Sequence, residues 1–311
     1  MSRQIHEVPV VEKFLAKKLA WSDPDSLPRT SHRIYLGDAR EMPEIGDLPC
    51  VHLVVTSPPY WTLKRYPGTA SDGQLGSTRD YDQFQKELAG VWKRCYDVLF
   101  PGGRMCLVVG DLCLSRRAAG RHSVVPLHSD IIRHARVAGF DYLSPIFWYK
   151  IANAATEVKG NGTTFLGKPY EPNAVIKNDV EYILIFRKPG EYRHPNEWQR
   201  KLSVIDKEDH QRWFRQIWSD IPGESTKNHP APFPKELAFR LVSMFSFVGD
   251  TVLDPFWGLG STTDAAIDAH RSSIGYEIEP EYTRIARSKF SKLDFQRYSI
   301  EFFPPAPARN L

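Results

Sequence analysis

This sequence lacks the features of a membrane or secreted protein. None of its apolar runs reaches the roughly 18 residues that a transmembrane helix needs. Residues 1–7 do not contain the apolar core of a signal peptide. We therefore expect a cytoplasmic protein without a membrane partner.

Cysteine is also scarce, with 4 residues in a chain of 311. No two cysteines have the spacing of zinc ligands, and no histidine cluster accompanies them. We therefore expect no metal site, and we expect reduced thiols packed in the core. These thiols belong to Cys50, Cys95, Cys106 and Cys113.

A strong excess of one charge is absent as well. The 41 Lys and Arg residues against 37 Asp and Glu residues give a net charge of +4 and a pI of about 8.7. This balance permits binding to nucleic acid but does not require it. The length fits one catalytic domain with an insertion better than two large domains.

The apolar pattern alternates between strand and helix periods along most of the chain. Such alternation predicts an open α/β sheet with helices on both faces, in which ligands bind at the carboxyl ends of strands. A loop is predicted over residues 62–79, and residues 302–307 suit an extended or disordered tail. The predicted strands cover 33–37, 51–56, 105–109, 142–149, 180–186, 250–254 and 272–277, and the predicted helices cover 80–99, 125–138, 234–246, 261–270 and 280–293.

Residues 56–60 read Thr-Ser-Pro-Pro-Tyr and follow a predicted strand. Two consecutive prolines fix two φ angles and keep the chain extended, which holds the Ser57 hydroxyl and the Pro58 carbonyl in place. Tyr60 adds a flat aromatic ring. Two oxygen acceptors and a ring suit a planar base with an exocyclic amine, whereas a simple proline-rich turn is the alternative interpretation.

Residues 250–263 form a second motif, in which a short apolar strand leads into Asp254, a glycine-rich turn and the start of a helix. Glycines permit a close approach of the backbone to a ligand, and a helix N-terminus favours an anionic group. Glu277 lies about 20 residues further on, at the end of the next strand, where an acid can bind two ribose hydroxyls. The motif predicts a nucleoside site.

Together the two motifs resemble the amino-group DNA methyltransferases that use S-adenosylmethionine. Residues 254–262 are similar to the cofactor motif of that family, and Ser57-Pro58-Pro59-Tyr60 is similar to its catalytic tetrapeptide. The catalytic motif precedes the cofactor motif, as in the permuted beta group. Residues 229–234 and the strand that ends at Asp38 resemble two further family motifs. The resemblance covers most of residues 33–290 and implies a Rossmann-like, circularly permuted methyltransferase fold with a mostly parallel sheet.

The resemblance also implies roles for single residues. The catalytic residues would be Ser57, Pro58, Pro59 and Tyr60, with the serine hydroxyl and the Pro58 carbonyl accepting from the target amine. The cofactor would be held at its adenine by Asp38, at its ribose by Glu277 and at its methionine end by the glycine loop, with aromatic walls. The cofactor residues are Asp38, Phe233, Asp254, Pro255, Phe256, Gly258, Gly260, Thr262 and Glu277.

Basic and aromatic residues interleave in the part of the chain that the sheet does not need. We predict an insertion over 152–228, including the strand 180–186, with a target-recognition region that contacts phosphates and base edges. For residues 210–218 a helix with tryptophans facing the core is the alternative. The flanking units are an extension (1–32), a catalytic half (33–151), a cofactor half (229–293) and a tail (294–311). The predicted DNA contacts are Lys64, Arg65, Lys159, Lys168, Arg193, Arg200 and Lys201.

These features predict a site-specific enzyme that methylates the N4 amine of cytosine in double-stranded DNA. Serine at the first motif position resembles the N4-cytosine members, and N6-adenine methylation is the alternative. An RNA or small-molecule methyltransferase would keep both motifs without needing the basic insertion. A catalytically silent DNA-binding protein is expected to lose Ser57, Tyr60 or the glycine loop. The resemblance is compatible with a companion restriction endonuclease and with a monomer or a homodimer.

Overall fold

A mostly parallel sheet organises the described part of the chain. The computed structural model describes residues 27–61, 73–114, 116–150, 165–166, 172, 175–176, 178–223, 234–290 and 297–305. The strands are β1 Thr30–Leu36, β2 Val51–Thr56, β3 Leu99–Val109, β4 Leu112–Leu114, β5 Ser123–Val125, β6 Asp141–Tyr149, β7 Phe165–Leu166, β8 Val175–Ile176, β9 Val180–Arg187, β10 Ile217–Trp218, β11 Thr251–Asp254, β12 Ser272–Glu277 and β13 Tyr298–Phe303. The helices are α1 Tyr81–Val98, α2 Arg116–Ala119, α3 Leu127–Val137, α4 Glu197–Leu202, α5 Lys207–Trp213, α6 Lys235–Phe245, α7 Ser261–Asp268 and α8 Pro280–Phe290.

Nine of the described strands form the main sheet in the order β10-β6-β9-β3-β2-β11-β12-β1-β13. β9 is antiparallel to both of its neighbours, and every other adjacent pair is parallel. The ends of β1, β2, β11 and β12 therefore meet on one side of the sheet. We call this side the carboxyl edge and the opposite side, where these strands begin, the amino edge.

Helix α1 shows why the apolar pattern predicts this fold well. Asp80 caps the helix by accepting from the backbone N–H of Gln83 at 2.7 Å. Six apolar residues of the helix recur at helical spacing and are fully buried against the sheet: Phe84, Leu88, Val91, Trp92, Cys95 and Val98. They share this core with α3, whereas α6 and α7 belong to the core on the other face. The sheet thus has helices on both faces, as predicted.

The region 187–221 corrects the predicted insertion. The predicted strand 180–186 is present as β9, in the middle of the sheet. The sequence places 187–218 outside the sheet, but β10 pairs with β6 at its border. Trp213 and Trp218 are buried in the core with Ile221. The buried guanidinium of Arg240 lies 5.3 Å from the Trp218 ring and forms an ion pair with Asp220. The core alternative for the tryptophans is therefore the one observed.

The predicted tail contains a strand. β13 pairs with β1 in parallel along six residue positions, from Thr30↔Tyr298 to Tyr35↔Phe303. The ring of Phe303 stacks on Tyr35 at 4.8 Å, and Phe302 meets the edge of Trp257 at 6.0 Å. Residues 298–303 are hard to assign to a strand from the sequence alone, because a strand at the border of a sheet needs little regular alternation. The aromatic partners of this strand are also distant in sequence.

The burial of the cysteines and the character of the described helices can be compared with the expectations from the sequence. Cys95 and Cys106 are buried, and Cys50 and Cys113 are half-buried, all four as free thiols. None of the described helices is both long enough and apolar enough to cross a membrane.

Candidate active site

A cleft of about 710 Å³ opens at the carboxyl edge, between the ends of β1, β2, β11 and β12. It collects residues that are far apart in the chain, because parallel strands end on the same side of the sheet. Eight of the predicted site residues line it: Asp38, Ser57, Pro58, Pro59, Pro255, Phe256, Gly258 and Glu277. The catalytic motif and the cofactor motif therefore share one cleft.

The glycine loop after β11 turns back on itself through two left-handed residues. Gly258 has φ 54° and Gly260 has φ 81°, values that side chains with a Cβ rarely adopt. Gly258 lines the cleft. Gly260 is not among the lining residues, and a Cβ at Gly260 would lie 2.7 Å from the Trp257 ring. The structure thus assigns Gly260 to packing behind the loop and to the start of α7.

Asp254 lies beneath the cleft and is not among its lining residues. Its carboxylate accepts from Thr56 Oγ1 at 2.6 Å, from Thr262 Oγ1 at 2.7 Å and from the Phe256 N–H at 3.1 Å. Burial raises the pKa of Asp254 to about 6, although these hydrogen bonds favour the charged form. We call residues 57–61, which contain the predicted catalytic motif, the catalytic turn, and residues 255–260 the glycine loop. Asp254 and Thr262 therefore tie the end of β2, where the catalytic turn begins, to the glycine loop.

Glu277 lines the cleft at the end of β12. Its two oxygens accept from the Gly258 N–H at 2.7 Å and from the Glu279 N–H at 2.8 Å. Burial is the largest cause that raises the pKa of Glu277 to about 7. Because each carboxylate oxygen has two lone pairs, both oxygens can accept further donors from a ligand.

Asp38 follows β1, the strand next to β12, and also lines the cleft. Its Oδ1 accepts from the backbone N–H of Arg40 at 2.8 Å and from Arg40 Nε at 3.0 Å. The same guanidinium donates to Glu87 at 3.0 Å and to the carbonyl of Gly73 at 3.0 Å. Arg40 thus fixes the orientation of Asp38 and joins it to the neighbouring wall of the cleft.

The catalytic turn is anchored on the side away from the cleft. Tyr60 is 8% exposed and packs with the core rather than lining the cleft. A Cβ at Gly110 would lie 3.4 Å from Tyr60 Cε1. Trp61 has φ 46° and donates from Nε1 to the Thr78 carbonyl at 2.8 Å. Its ring meets Tyr81 edge-on at 5.3 Å, which supports the unusual backbone angle.

Several lining residues were not predicted from the sequence. Gln74 and Leu75 come from the region assigned to a loop, and Glu279 and Tyr282 follow β12. Gln74 Nε2 donates to Glu279 Oε2 at 3.1 Å, so the two walls of the cleft are joined. Glu279 could have been predicted from the sequence, because it is an acid only two residues after Glu277. No local pattern distinguishes Gln74.

The predicted DNA contacts that the structure describes lie at the amino edge. Arg193 forms an ion pair with buried Asp250, just before β11 begins. Arg200 donates to the Pro195 carbonyl at 3.1 Å, and Lys201 pairs with Glu197 at 2.9 Å on the exposed side of α4. The structure therefore places these three cations away from the cleft. Lys64, Arg65, Lys159, Lys168 and Phe233 lie outside the described residues.

The model of the N6/N4 methyltransferase family, described as DNA methylase, matches residues 51–288. The type II methyltransferase M.MjaI of Methanocaldococcus jannaschii is 39% identical over 301 aligned positions, and the match covers 88% of this chain and 95% of that protein. The type II methyltransferase M.MthZI of Methanothermobacter thermautotrophicus is 34% identical, over 85% of this chain and 78% of that protein.

Solved structures agree in the arrangement of the chain. A protein of Thermus thermophilus, assigned as a DNA modification methylase and crystallised with S-adenosyl-L-methionine, is 46% identical with a TM-score of 0.71. The match covers 89% of this chain and 99% of that one. The cytosine-N4-specific PvuII DNA methyltransferase is 20% identical with a TM-score of 0.58, over 87% of this chain and 91% of that one, which supports the fold alone.

Proposed function

Because this chain belongs to the DNA methylase family whose model matches residues 51–288, we propose that it is a site-specific DNA methyltransferase that uses S-adenosylmethionine. The target is the exocyclic N4 amine of cytosine in double-stranded DNA. One observation carries the proposal: the catalytic turn and the glycine loop with Glu277 line a single cleft. A methyl donor and an amine acceptor can therefore meet there.

The residues of the cleft suit this cofactor. The lining combines apolar surface with a few polar groups, as is usual for a small-molecule site. Glu277 would accept from the ribose hydroxyls, Asp38 from the adenine amine, and the backbone at Gly258 would border the methionine end beside Phe256 and Pro255. When bound, the cofactor supplies an electrophilic methyl group on a sulfonium. The structure solved with S-adenosyl-L-methionine, at 46% identity, supports this assignment.

The chain's own contribution to the reaction is alignment. The amine of cytosine is a weak nucleophile because its lone pair is delocalised into the ring. Ser57 Oγ and the Pro58 carbonyl, held by two fixed φ angles, would accept hydrogen bonds from the two amine N–H groups and favour a tetrahedral nitrogen. Tyr60, buried beside Gly110, would support the base site from the core side. Proximity and orientation supply most of the rate, and the amine proton leaves after the transfer.

The double-stranded DNA substrate requires the base to leave the helix. The ends of β6 and β9 that flank the predicted recognition region, at Tyr149 and Val180, both lie at the carboxyl edge. This position supports a target-recognition role for the first part of the predicted insertion. The type II methyltransferases among the relatives also support a role beside a companion restriction endonuclease.

The choice of cytosine is supported by Ser57 at the first motif position, and adenine N6 is the alternative. The test is transfer of label from S-adenosylmethionine to unmethylated DNA, followed by nucleoside analysis of the digest. N4-methylcytosine is the expected product. N6-methyladenine would overturn the base assignment and keep the cleft chemistry. Label that enters RNA or small molecules but never DNA would overturn the substrate class.

A further inference from the structure

Three side chains meet at the carboxyl edge outside the cleft: Asp111, His128 and Tyr182. Asp111 Oδ1 accepts from the imidazole Nδ1 of His128 at 2.6 Å and from the backbone N–H of His128 at 3.2 Å. The His128 ring stacks on Tyr182 with 3.9 Å between ring centroids and 9° between ring planes. Because a carboxylate only accepts, Nδ1 carries the proton in this bond.

Each member of this group is held by a regular element. Asp111 follows the end of β3, His128 lies in the first turn of α3, and Tyr182 is paired with Val109 inside the sheet. The carboxylate also satisfies a backbone donor at the start of α3, as an N-terminal cap does. The imidazole is therefore held in one orientation before any ligand arrives, which lowers the entropy cost of a contact with it.

The group leaves part of the imidazole open. The His128 side chain is 24% exposed, and no described residue stacks on its second face or bonds its Nε2. A histidine that only fills the core would be enclosed on both faces. One face rests on Tyr182, and the other face, which no described residue covers, is the surface that a further flat ring can use.

The open ring lies on the side of β2 away from the cleft. β2, β3 and β9 are consecutive in the sheet, and the cofactor cleft lies on the other side of β2. Adjacent strands are about 4.8 Å apart, and Tyr182 lies two strands across from β2. It is level with Val109, two residues beyond the partner of Thr56. Gly110, which precedes Asp111, borders Tyr60. A base that leaves the duplex toward Ser57 would therefore pass the imidazole.

We propose that His128 is a stacking platform for an unpaired nucleobase at the DNA target, oriented by Asp111 and backed by Tyr182. Stacking on aromatic side chains is the usual contact for bases outside a helix, and it tolerates different bases. The inference rests on the proposed DNA methyltransferase function. It assigns to His128 a role in holding DNA, with no role in binding the cofactor.

The test compares His128→Ala, His128→Phe and His134→Ala, using unmethylated plasmid DNA and labelled S-adenosylmethionine. His134 lies on α3 at the end away from the carboxyl edge and serves as the matched control. His128→Ala should raise the KM for DNA about tenfold, as expected for the loss of one stacked base. The KM for the cofactor should not change. His128→Phe should stay close to the unaltered protein, because the flat ring is retained.

Three results would contradict the proposed stacking role of His128. They are an unchanged KM for DNA in His128→Ala, an equal loss in His128→Phe and His128→Ala, and a parallel loss of cofactor binding that indicates a damaged fold. Failure of the unaltered protein to methylate any DNA would instead overturn the proposed function itself. The two failures are therefore distinguishable.

Discussion

The two edges of the sheet bury acids in different ways. At the amino edge, the buried carboxylate of Asp250 is paired with the guanidinium of Arg193. At the carboxyl edge, Asp254 and Glu277 are also buried, but their described partners are hydroxyls and backbone N–H groups without charge. Burial raises the pKa of Asp254 to about 6 and that of Glu277 to about 7.

This difference separates Asp250, whose carboxylate is paired with Arg193, from Glu277, whose carboxylate lines the cleft and has no described cation beside it. A buried carboxylate paired with an arginine is compensated within the protein, and breaking the pair is costly. A buried carboxylate that accepts only neutral donors keeps lone pairs for the donors of a ligand. The carboxyl edge therefore carries the features of a binding site, and the amino edge carries those of a scaffold.

Ser57→Ala at the carboxyl edge should have the largest effect. Removal of an oriented acceptor that acts on the reacting group should lower kcat for DNA methylation about 100-fold or more. Cofactor affinity should be retained, because Glu277 and Gly258 remain in place. Single-turnover methyl transfer together with equilibrium cofactor binding checks both expectations. A variant that retains full activity would remove Ser57 from the catalytic residues.

The affinity for S-adenosylmethionine should depend on pH through Glu277. Ribose hydroxyls donate to the ionised carboxylate, so binding favours loss of the proton. Since burial raises the pKa to about 7, affinity should increase as pH rises toward 7 and level off above it. The slope below that pH should approach a factor of ten per pH unit at most. Calorimetric titration between about pH 5.5 and 8.5 measures it.

Glu277→Gln is the matched control for that pH dependence. It should bind the cofactor more weakly, and it should lose the part of the pH dependence that belongs to this residue. Without cofactor, the raised pKa means that the folded chain binds the proton more tightly than the unfolded chain. The free energy of unfolding should then fall as pH rises from about 4.5 to about 7. A Glu277→Gln variant whose affinity for the cofactor keeps the full pH dependence would contradict the ribose assignment.

Arg193→Ala at the amino edge should affect stability rather than catalysis. It leaves the Asp250 carboxylate, 1% exposed, without its arginine. The expected loss is roughly 2 kcal/mol in the free energy of unfolding, below the value for a fully buried pair because the Arg193 side chain is partly exposed. Urea denaturation measures it. A raised KM for DNA with unchanged stability would instead support the DNA contact predicted from the sequence.

Lys201→Ala should have the smallest effect. Its ion pair with Glu197 lies on the exposed surface of α4, and such pairs are weak and screened by salt. Neither the denaturation midpoint nor the KM for DNA should change measurably. A clear rise in the KM for DNA would show that DNA reaches the amino edge.

Local sequence patterns predicted the regular elements well. The strands 51–56 and 272–277 have the predicted bounds, and α1 differs by one residue at each end. These elements have strong periodicity and clear end signals, such as the capping residue Asp80. β13 and β10 were missed because they are border strands whose apolar contacts come from distant residues. The aromatic residues of β13 do not recur with a clear period of two along the sequence, so they do not by themselves indicate a strand.

The candidate site was predictable in its motifs but less so in its contacts. Short motifs identify residues whose backbone geometry is fixed locally, such as Pro58 and Gly258. They do not reveal whether a side chain faces the cleft, as Glu277 does, or lies beneath it, as Asp254 does. The basic residues of 187–201 show the same limit, because charge along the chain does not state which edge of the sheet it reaches.

The sequence by itself determined the alternation of strands and helices, the two motifs and the family to which the chain belongs. These depend on local backbone preferences and on the spacing of residues within one turn or strand. Only the tertiary structure decided that Asp254 joins two strand ends, that Arg193 neutralises Asp250 and that His128 stacks on Tyr182. Each of these contacts joins residues that are distant in the chain or depends on burial from several elements, which no local pattern encodes.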